Sequence, residues 1–295
     1  MIAKYVNQLI NSVPMLPQKG KQLASVLHRG VLQGGDPVRS AVDVLHGTWL
    51  GHPLHPVLTD VVVGSWVLAS LFDLMSFNKG SDAAEKAADT LTAVGTAAAV
   101  PAVLSGLADY SAIRGPAAGT GLAHALLNGT SFVLYLLSLR ARRAGRRDQG
   151  VALSAGALGV ATVSAYLGGH LVFDQRVGVN HSDPPSGLQA WTAVLDEGEL
   201  PERSPRRVEV EGNPVLLYRQ QSQLYAVGAV CPHAGGPLEE GQFFDTCVQC
   251  PWHDSVYDLR NGAVRHGPST YPVPNYEVRI RDGQIEIRAT ADETT

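Results

Sequence analysis

Between residues 51 and 181, charged residues are confined to the ends of four long apolar stretches. Each stretch is about 18 to 25 residues long, enough to cross a hydrocarbon core of roughly 30 Å as a helix. The stretches are rich in Ala, Gly, Ser and Thr, which let membrane helices approach closely. A buried bundle of a soluble protein is the alternative, but four uncharged helices in succession would be unusual there. The pattern predicts transmembrane helices within residues 57–77, 91–108, 115–139 and 149–173.

The segments on either side follow different patterns. Residues 21–48 place apolar side chains at helical spacing, which predicts one or two amphipathic helices lying on the bundle or on the membrane surface. After residue 190 come short β-rich runs separated by turns that contain Gly and Asn. They predict a compact all-β domain. The runs are residues 213–218, 223–230, 276–280 and 284–288.

Composition supports this division of the 295-residue chain. Asp, Glu, Lys and Arg number 17 in residues 51–181 but 26 in the shorter segment 182–295. We therefore predict an all-α four-helix transmembrane bundle followed by an all-β domain. The predicted segments are an amphipathic 1–50, the bundle 51–181, a linker 182–190, the β domain 191–290 and a tail 291–295. A net charge of −4 with only one short basic run argues against a nucleic acid partner.

The β domain contains two short motifs that combine cysteine with histidine. One residue separates Cys231 from His233, and two separate Cys250 from His253. Three cysteines are too few for a disulfide framework, so metal binding or redox chemistry is favoured. Two thiolates and two imidazoles suit either tetrahedral zinc or a [2Fe–2S] cluster with two histidines on one iron. Zinc fingers usually group like ligands together, whereas each motif here supplies one of each.

Around these motifs, residues 190–290 resemble the Rieske iron–sulfur family. The resemblance rests on Cys-Pro-His-Ala-Gly-Gly-Pro-Leu from residue 231, on Cys-Pro-Trp-His-Asp-Ser-Val-Tyr-Asp-Leu from residue 250, and on the proline-containing segment 267–272. It implies that Cys231 and Cys250 hold a buried iron and that His233 and His253 hold an exposed iron. It also implies that residues 267–272, beginning with Gly267 and Pro268, form a third loop that covers the cluster.

Departures from other Rieske proteins bear on the reduction potential. Members from quinol-oxidising respiratory complexes join the cluster loops by a disulfide, and the matching positions here are Gly236 and Trp252, so that bridge cannot form. Ser255 and Tyr257 stand where high-potential members place hydroxyls that donate to cluster sulfurs. Because such donors stabilise the reduced cluster, we expect a potential in the middle or upper part of the roughly −150 to +300 mV Rieske range. Cys247 is interpreted as a core or surface thiol.

Several ionisable residues lie near one end of the predicted bundle. If the four spans alternate in direction, His55, His124, His170 and Asp109 all fall toward the face that carries the β domain. Ionisable groups near lipid are costly and often functional, and two histidines on facing helices can ligate haem b. The alternatives are another metal, a quinone-side proton role, or hydrogen bonds that stabilise the bundle. Segments 51–56 and 168–174 resemble a four-helix bacterial membrane family of unknown function, which implies no mechanism.

Loop charges predict how the bundle is oriented in a bacterial inner membrane. The loop after the third span carries five arginines within residues 140–147, and Lys79 and Lys86 fall on the same side. The positive-inside rule then places both termini and the β domain outside the cytoplasm. A cluster-bearing domain there usually needs a twin-arginine export signal, which Arg146 and Arg147 match only weakly. The cytoplasmic orientation therefore stays open beside a slight preference for the extracytoplasmic one.

Together these features predict a membrane-anchored Rieske protein that transfers single electrons to or from a respiratory or oxygenase partner. The predicted partners are the lipid bilayer and a redox protein or quinol. No catalytic residue is predicted, because the chain offers no separate 2-His-1-carboxylate iron site, and we expect a component of an oxidoreductase system. Two alternatives remain, namely the cluster subunit of a separate oxygenase or reductase, and a redox sensor or adaptor.

Overall fold

The computed structural model describes residues 2–290, without the side chains of residues 2–4, 78 and 79. It divides into two compact units. The first contains residues up to 35 together with 53–177, and the second contains residues 36–52 together with those from 178 onward. The chain therefore passes between the units three times, whereas the sequence pattern predicted a single linker at 182–190. The predicted tail 291–295 lies outside the described residues.

The first unit is helical wherever it has regular structure. Helices α1 (Ile2–Ser12) and α2 (Met15–Gln33) are followed by α3 (Gly35–His46), most of which belongs to the second unit. Four longer helices come next, each of 24 to 30 residues and apolar enough to cross a membrane. They confirm the predicted all-α bundle. The long helices are α4 (Leu54–Lys79), α5 (Asp82–Ser111), α6 (Ala117–Arg143) and α7 (Arg147–Phe173).

Small residues let the long helices approach one another. Gly95 of α5 makes room for Trp66 of α4, because a Cβ atom there would lie 2.6 Å from the indole ring. Trp66 in turn stacks on Tyr135 of α6, with 4.0 Å between ring centroids. Large apolar side chains on the outer faces, such as Leu71 and Val133, are exposed, as expected for helices in contact with lipid. The buried face of α5 includes Ala88, Thr92, Gly95, Ala99 and Ala102.

Charged side chains meet at one end of the four long helices. Arg142 of α6 donates to both carboxylate oxygens of Asp73 in α4 and, at 2.7 Å, to Asp89 in α5. Arg147, at the start of α7, donates to Asp73 at 2.8 Å and to Asp89 at 3.0 Å. The side chains of Arg142 and Asp73 are only 2% and 5% exposed. The sequence pattern predicted that five arginines supply the positive charge of the loop after the third span. Two of them, Arg142 and Arg147, form ion pairs within the bundle instead.

The second unit contains ten strands in three antiparallel sheets among the described residues, which confirms the predicted all-β domain. The sheet orders are β1-β10-β9, β2-β3-β4 and β5-β6-β7-β8. The strands are β1 (Thr192–Asp196), β2 (Arg206–Val210), β3 (Asn213–Gln220), β4 (Gln223–Gly228), β5 (Gln242–Phe244), β6 (Cys247–Gln249), β7 (Val256–Asp258), β8 (Val264–His266), β9 (Tyr276–Arg281) and β10 (Gln284–Ala289).

Two hydrophobic cores fill the β domain, and strand β3 contributes to both. Its side chains alternate, so that Val215 and Leu217 enter one core while Leu216 enters the other. The second core also contains Cys231 and Cys250. The predicted metal site is therefore built into the edge of a packed core.

Candidate metal centre

The two cysteine-histidine motifs form loops with the same backbone hydrogen-bond pattern. In each loop the backbone amide of the cysteine donates to the carbonyl of the residue five positions later. The amide of the residue four positions later donates to the carbonyl of the cysteine. The residue at that fourth position has a positive φ, +79° at Gly235 and +65° at Asp254, which glycine and aspartate tolerate best. The bonds are Cys231 N to Gly236 O (2.9 Å), Gly235 N to Cys231 O (2.8 Å), Cys250 N to Ser255 O (2.8 Å) and Asp254 N to Cys250 O (3.2 Å).

These loops bring the four predicted ligands together. Cys231 and Cys250 are almost fully buried, and the ring centroids of His233 and His253 are 4.7 Å apart. The Nδ1 atom of each ring is buried and makes no hydrogen bond within residues 2–290, although each residue has other interactions. In that part of the chain, no three His, Cys, Asp or Glu side chains lie close enough together to hold a single metal ion. Two sulfurs and two imidazoles instead fit the two irons of a [2Fe–2S] cluster.

Hydrogen-bond donors surround the cysteine sulfurs. Tyr257 Oη lies 3.1 Å from Cys231 Sγ, and burial holds the pKa of Tyr257 well above its ordinary value. The phenol therefore keeps its hydrogen and can donate it to the sulfur once Cys231 is deprotonated. Hydrogen bonds from Cys250 and then Tyr257 lower the pKa of Cys231 to about 7. The same contact with Cys231 raises the pKa of Cys250. One thiol of the pair is thus readily deprotonated, as a metal ligand must be.

A glycine is required between the two ligand loops. A Cβ atom on Gly236 would lie 2.8 Å from Cys250 Sγ and 3.2 Å from the Trp252 ring. Gly236 and Trp252 are therefore neighbours at the positions where the resemblance implied a disulfide in other Rieske proteins. All three cysteines are free thiols. Cys247 lies in β6 opposite Asp258, and burial raises the pKa of its thiol.

The predicted covering loop, residues 267–272, contacts the second ligand loop. Ser269 N donates to Ser255 Oγ at 3.0 Å, and both serines are buried. Because Ser255 Oγ accepts this bond, its own hydrogen is available for a cluster sulfur. The start of the covering loop is bonded to Asp43 of α3, a residue that sequence reasoning missed because it lies far from the motif in the chain.

The polar residues of the bundle do not form one site. The rings of His55 and His124 are 6.4 Å apart, and each Nδ1 donates to a backbone carbonyl, of Ala102 and Ser164 respectively. Nε2 of His124 is 3.0 Å from Asn128 Nδ2, which can donate to it. Both ring nitrogens of His124 are thus engaged, so this geometry does not support the predicted haem b ligation.

The other two predicted membrane residues have separate surroundings. His170 Nε2 lies 2.9 Å from Asn7 Oδ1, on α1, and 3.5 Å from Asp174. Asp109, near the end of α5, also has an interaction partner. The hydrogen bonds of His170 join α7 to α1, which agrees with the structural alternative for this residue.

Comparison with known proteins identifies the β domain. Residues 190–277 match the family described as "Rieske [2Fe-2S] domain". The "Anthranilate 1,2-dioxygenase ferredoxin subunit" of Burkholderia cepacia is 35% identical over 100 residues, which are 34% of this chain and 93% of that protein. This chain belongs to the Rieske family. Its Rieske domain implies a [2Fe–2S] cluster.

Further matches cover the Rieske domain and the bundle. "Apoptosis-inducing factor 3" of Homo sapiens is 28% identical over 121 residues, 41% of this chain but only 20% of that protein. The solved ferredoxin of carbazole 1,9a-dioxygenase from Nocardioides aromaticivorans IC177 is 27% identical, with a TM-score of 0.33, over 34% of this chain and 99% of that one. Residues 51–181 match the family described as "Predicted membrane protein (DUF2231)".

Proposed function

We propose that this chain is a membrane-anchored one-electron carrier. The observation that carries the proposal is the convergence of Cys231, His233, Cys250 and His253 in paired loops of a Rieske domain. A [2Fe–2S] cluster in this site supplies the exchange of single electrons. Four apolar helices of membrane-spanning length support anchorage in a bilayer.

The residues of the site have distinct roles in this proposal. Cys231 and Cys250 would hold one iron of the cluster, and His233 and His253 would hold the other. Tyr257 donates to Cys231 Sγ and so stabilises negative charge on the sulfur. Trp252 is half exposed, with its ring centroid 6.4 Å from that of His253, and offers a partner an aromatic contact close to a ligand.

The proposed partner is an oxygenase or a respiratory protein that accepts the electron, with a reductase or quinol as donor. The Burkholderia cepacia relative is named as the ferredoxin subunit of a dioxygenase, which supports the oxygenase side of this choice. A redox sensor is the second candidate. The hydroxyl donors near the cluster favour the carrier, because a tuned potential matters most to a protein that passes electrons on.

The cluster is tested with the full chain purified from membranes in detergent. We expect the reduced wild-type protein to show the paramagnetic resonance signal of a Rieske cluster. Cys231→Ser should lose that signal. Cys247→Ser should keep it, because Cys247 lies in β6 opposite Asp258, outside both ligand loops, and is not part of the core that contains Cys231 and Cys250. An optical spectrum of the same sample should show no haem bound through His124. A Rieske signal that survives Cys231→Ser would contradict the assigned ligands.

The carrier role is tested in membranes of the host with and without the gene. Loss of oxygenase or respiratory electron flux on deletion, restored by wild type but not by Cys231→Ser, supports the carrier. Unchanged flux with altered signalling would overturn it in favour of the sensor. The Cys247→Ser gene serves as the matched control, since it should restore flux fully.

We also propose that the Rieske domain faces away from the cytoplasm. With Arg142 and Arg147 neutralised in the bundle, the same side still carries the exposed side chains of Lys86, Arg140, Arg143 and Arg146. This excess supports the orientation that the positive-inside rule predicted. A reporter enzyme that works only outside the cytoplasm should therefore be active when it is fused to the C-terminus. An inactive reporter, together with activity of a cytoplasm-specific one, would reverse the assignment.

A further inference from the structure

A carboxylate from α3 binds the beginning of the covering loop. Asp43 Oδ2 accepts a hydrogen bond from His266 Nδ1 at 2.7 Å, and Asp43 Oδ1 accepts one from Gly267 N at 2.7 Å. The side chains of Asp43 and His266 are 15% and 27% exposed, so both bonds are partly shielded from water. Hydrogen bonds to an ionised carboxylate are about twice as strong as those between neutral groups.

The backbone of the covering loop lies directly against α3 and the turn that follows it. A Cβ atom on Gly267 would be 3.0 Å from His46 Cδ2, 3.3 Å from Asp43 Oδ1 and 3.4 Å from Thr48 Cγ2. A larger residue at position 267 would therefore require these side chains or the loop to shift by a few tenths of an ångström. The absence of a side chain at Gly267 is what allows Asp43 to reach its amide.

A second bond joins α3 to the other side of the metal centre. Arg39 Nη2 donates to the carbonyl oxygen of Asp254 at 3.0 Å. Asp254 follows the ligand His253 and carries the positive φ that closes the second ligand loop. One helix therefore contacts both the covering loop and a ligand loop.

The covering loop transmits this contact toward the cluster. Asp43 holds Gly267 at the start of the loop, and Ser269 N, two residues on, donates to the buried Ser255 Oγ. α3 lies outside residues 190–277, which match the Rieske family, so this contact is an addition to the domain rather than part of it.

We propose that Asp43 is a positioning residue of the Rieske site, and that α3 is a built-in support that fixes the covering loop over the cluster. Asp43 does this through His266 and Gly267, without touching a cluster ligand itself. The proposal rests on the presence of the cluster site. It does not depend on which partner supplies or takes the electron.

The test compares Asp43→Ala with Asp36→Ala in the full chain. Asp36 is the matched control because it lies on the same helix and is exposed. Loss of two charge-assisted hydrogen bonds should raise the equilibrium constant for opening of the loop roughly tenfold or more. This is measured as faster amide hydrogen exchange in a peptide that covers residues 266–272. The paramagnetic resonance line shape of the reduced cluster should also change in Asp43→Ala. Asp36→Ala should match wild type in both measurements.

Exchange and line shape that are unchanged in Asp43→Ala would overturn the proposal, as would equal changes in Asp36→Ala. If Asp43→Ala does not fold, Asp43→Asn and His266→Gln take its place. Asp43→Asn keeps an acceptor for Gly267 N, so we expect its exchange rate to lie between those of wild type and Asp43→Ala. Wild-type exchange rates in both Asp43→Asn and His266→Gln would also overturn the proposal. A wild-type cluster that transfers no electrons would refute the carrier function and leave this test intact.

Discussion

Tyr257 is the residue whose hydroxyl contacts the sulfur of the proposed ligand Cys231. Its hydroxyl lies 3.1 Å from Cys231 Sγ, and the bond should be stronger when the reduced cluster places more negative charge on sulfur. A bond of this kind contributes about 0.5–1.5 kcal/mol, so Tyr257→Phe should lower the potential by roughly 20–65 mV. Redox titration followed by paramagnetic resonance measures the shift.

The control for this prediction is Tyr276→Phe. Tyr276 is also buried, but it belongs to the other hydrophobic core of the β domain. We expect its substitution to leave the potential unchanged. Equal potentials in wild type and Tyr257→Phe would show that the hydroxyl does not tune the cluster.

Gly236 leads to a prediction about cluster content. Because a Cβ atom there would lie 2.8 Å from Cys250 Sγ, Gly236→Ala must displace a ligand loop, at a cost of about 1–3 kcal/mol. We expect less iron and acid-labile sulfide per protein than in wild type. Gly198→Ala is the matched control, since a Cβ atom at position 198 meets open space. Full iron content in Gly236→Ala would contradict the tight fit.

At the scale of elements, the β7–β8 hairpin depends on a buried carboxylate. Asp258 of β7 accepts hydrogen bonds from Arg260 and Arg265, and Arg260 in particular holds its pKa well below the ordinary range. A depressed pKa in the folded state stabilises the protein above the unfolded pKa of about 4, and this stabilisation is lost as the pH falls toward the folded value. Asp258→Asn should therefore lower the melting temperature by several degrees at pH 7, and by less near pH 3.

The measurement is thermal unfolding of wild type and Asp258→Asn at both pH values. Asp282→Asn is the control, because Asp282 lies exposed in the turn between β9 and β10. It should melt like wild type. A difference between wild type and Asp258→Asn that is the same at pH 3 and pH 7 would contradict the assigned charge state.

The sequence pattern predicts some elements of this chain better than others. β10 alternates in polarity, whereas β3 is a short apolar run because both of its faces are buried. Turns with positive φ, such as Asp282 and Gly283, separate the longer strands, so the positions of these strands follow from local sequence. β5 to β8 have three residues each, too few to show a period of two. The spacing of the cysteines and histidines likewise predicts four candidate ligands without any knowledge of the fold, and their assignment as ligands stays a prediction.

What local pattern cannot supply is the partner of an element. The spacing of apolar residues predicts helical structure around α3, yet the bond from Asp43 to His266 joins residues 223 positions apart. Nothing near Asp43 in the sequence distinguishes it from exposed Asp36. Likewise, the arginines within residues 140–147 form one uniform basic run in the sequence, and only the folded bundle distinguishes the buried Arg142 from its exposed neighbours.

At the scale of the whole molecule, the two units place their charges differently. The β domain pairs exposed arginines with carboxylates across its strands, as between Arg279 and Glu286. The bundle instead gathers its charges into the network around Asp73 and Arg142, at one end of the long helices. Pairs exposed to water contribute little to stability, whereas breaking a buried pair is costly. The stability of the bundle should therefore depend on this network.

Asp73→Asn tests that dependence. It leaves the buried Arg142 with only Asp89 to offset its charge, and removing one partner of a buried pair costs about 3 kcal/mol or more. We expect a lower melting temperature for the bundle in detergent, with Asp148→Asn, an exposed change at the start of α7, as the control. Because Asp73 lies in the bundle and the ligands lie in the β domain, the cluster potential should stay at its wild-type value. A melting temperature equal to that of the control would show that the network is not what holds the four helices together.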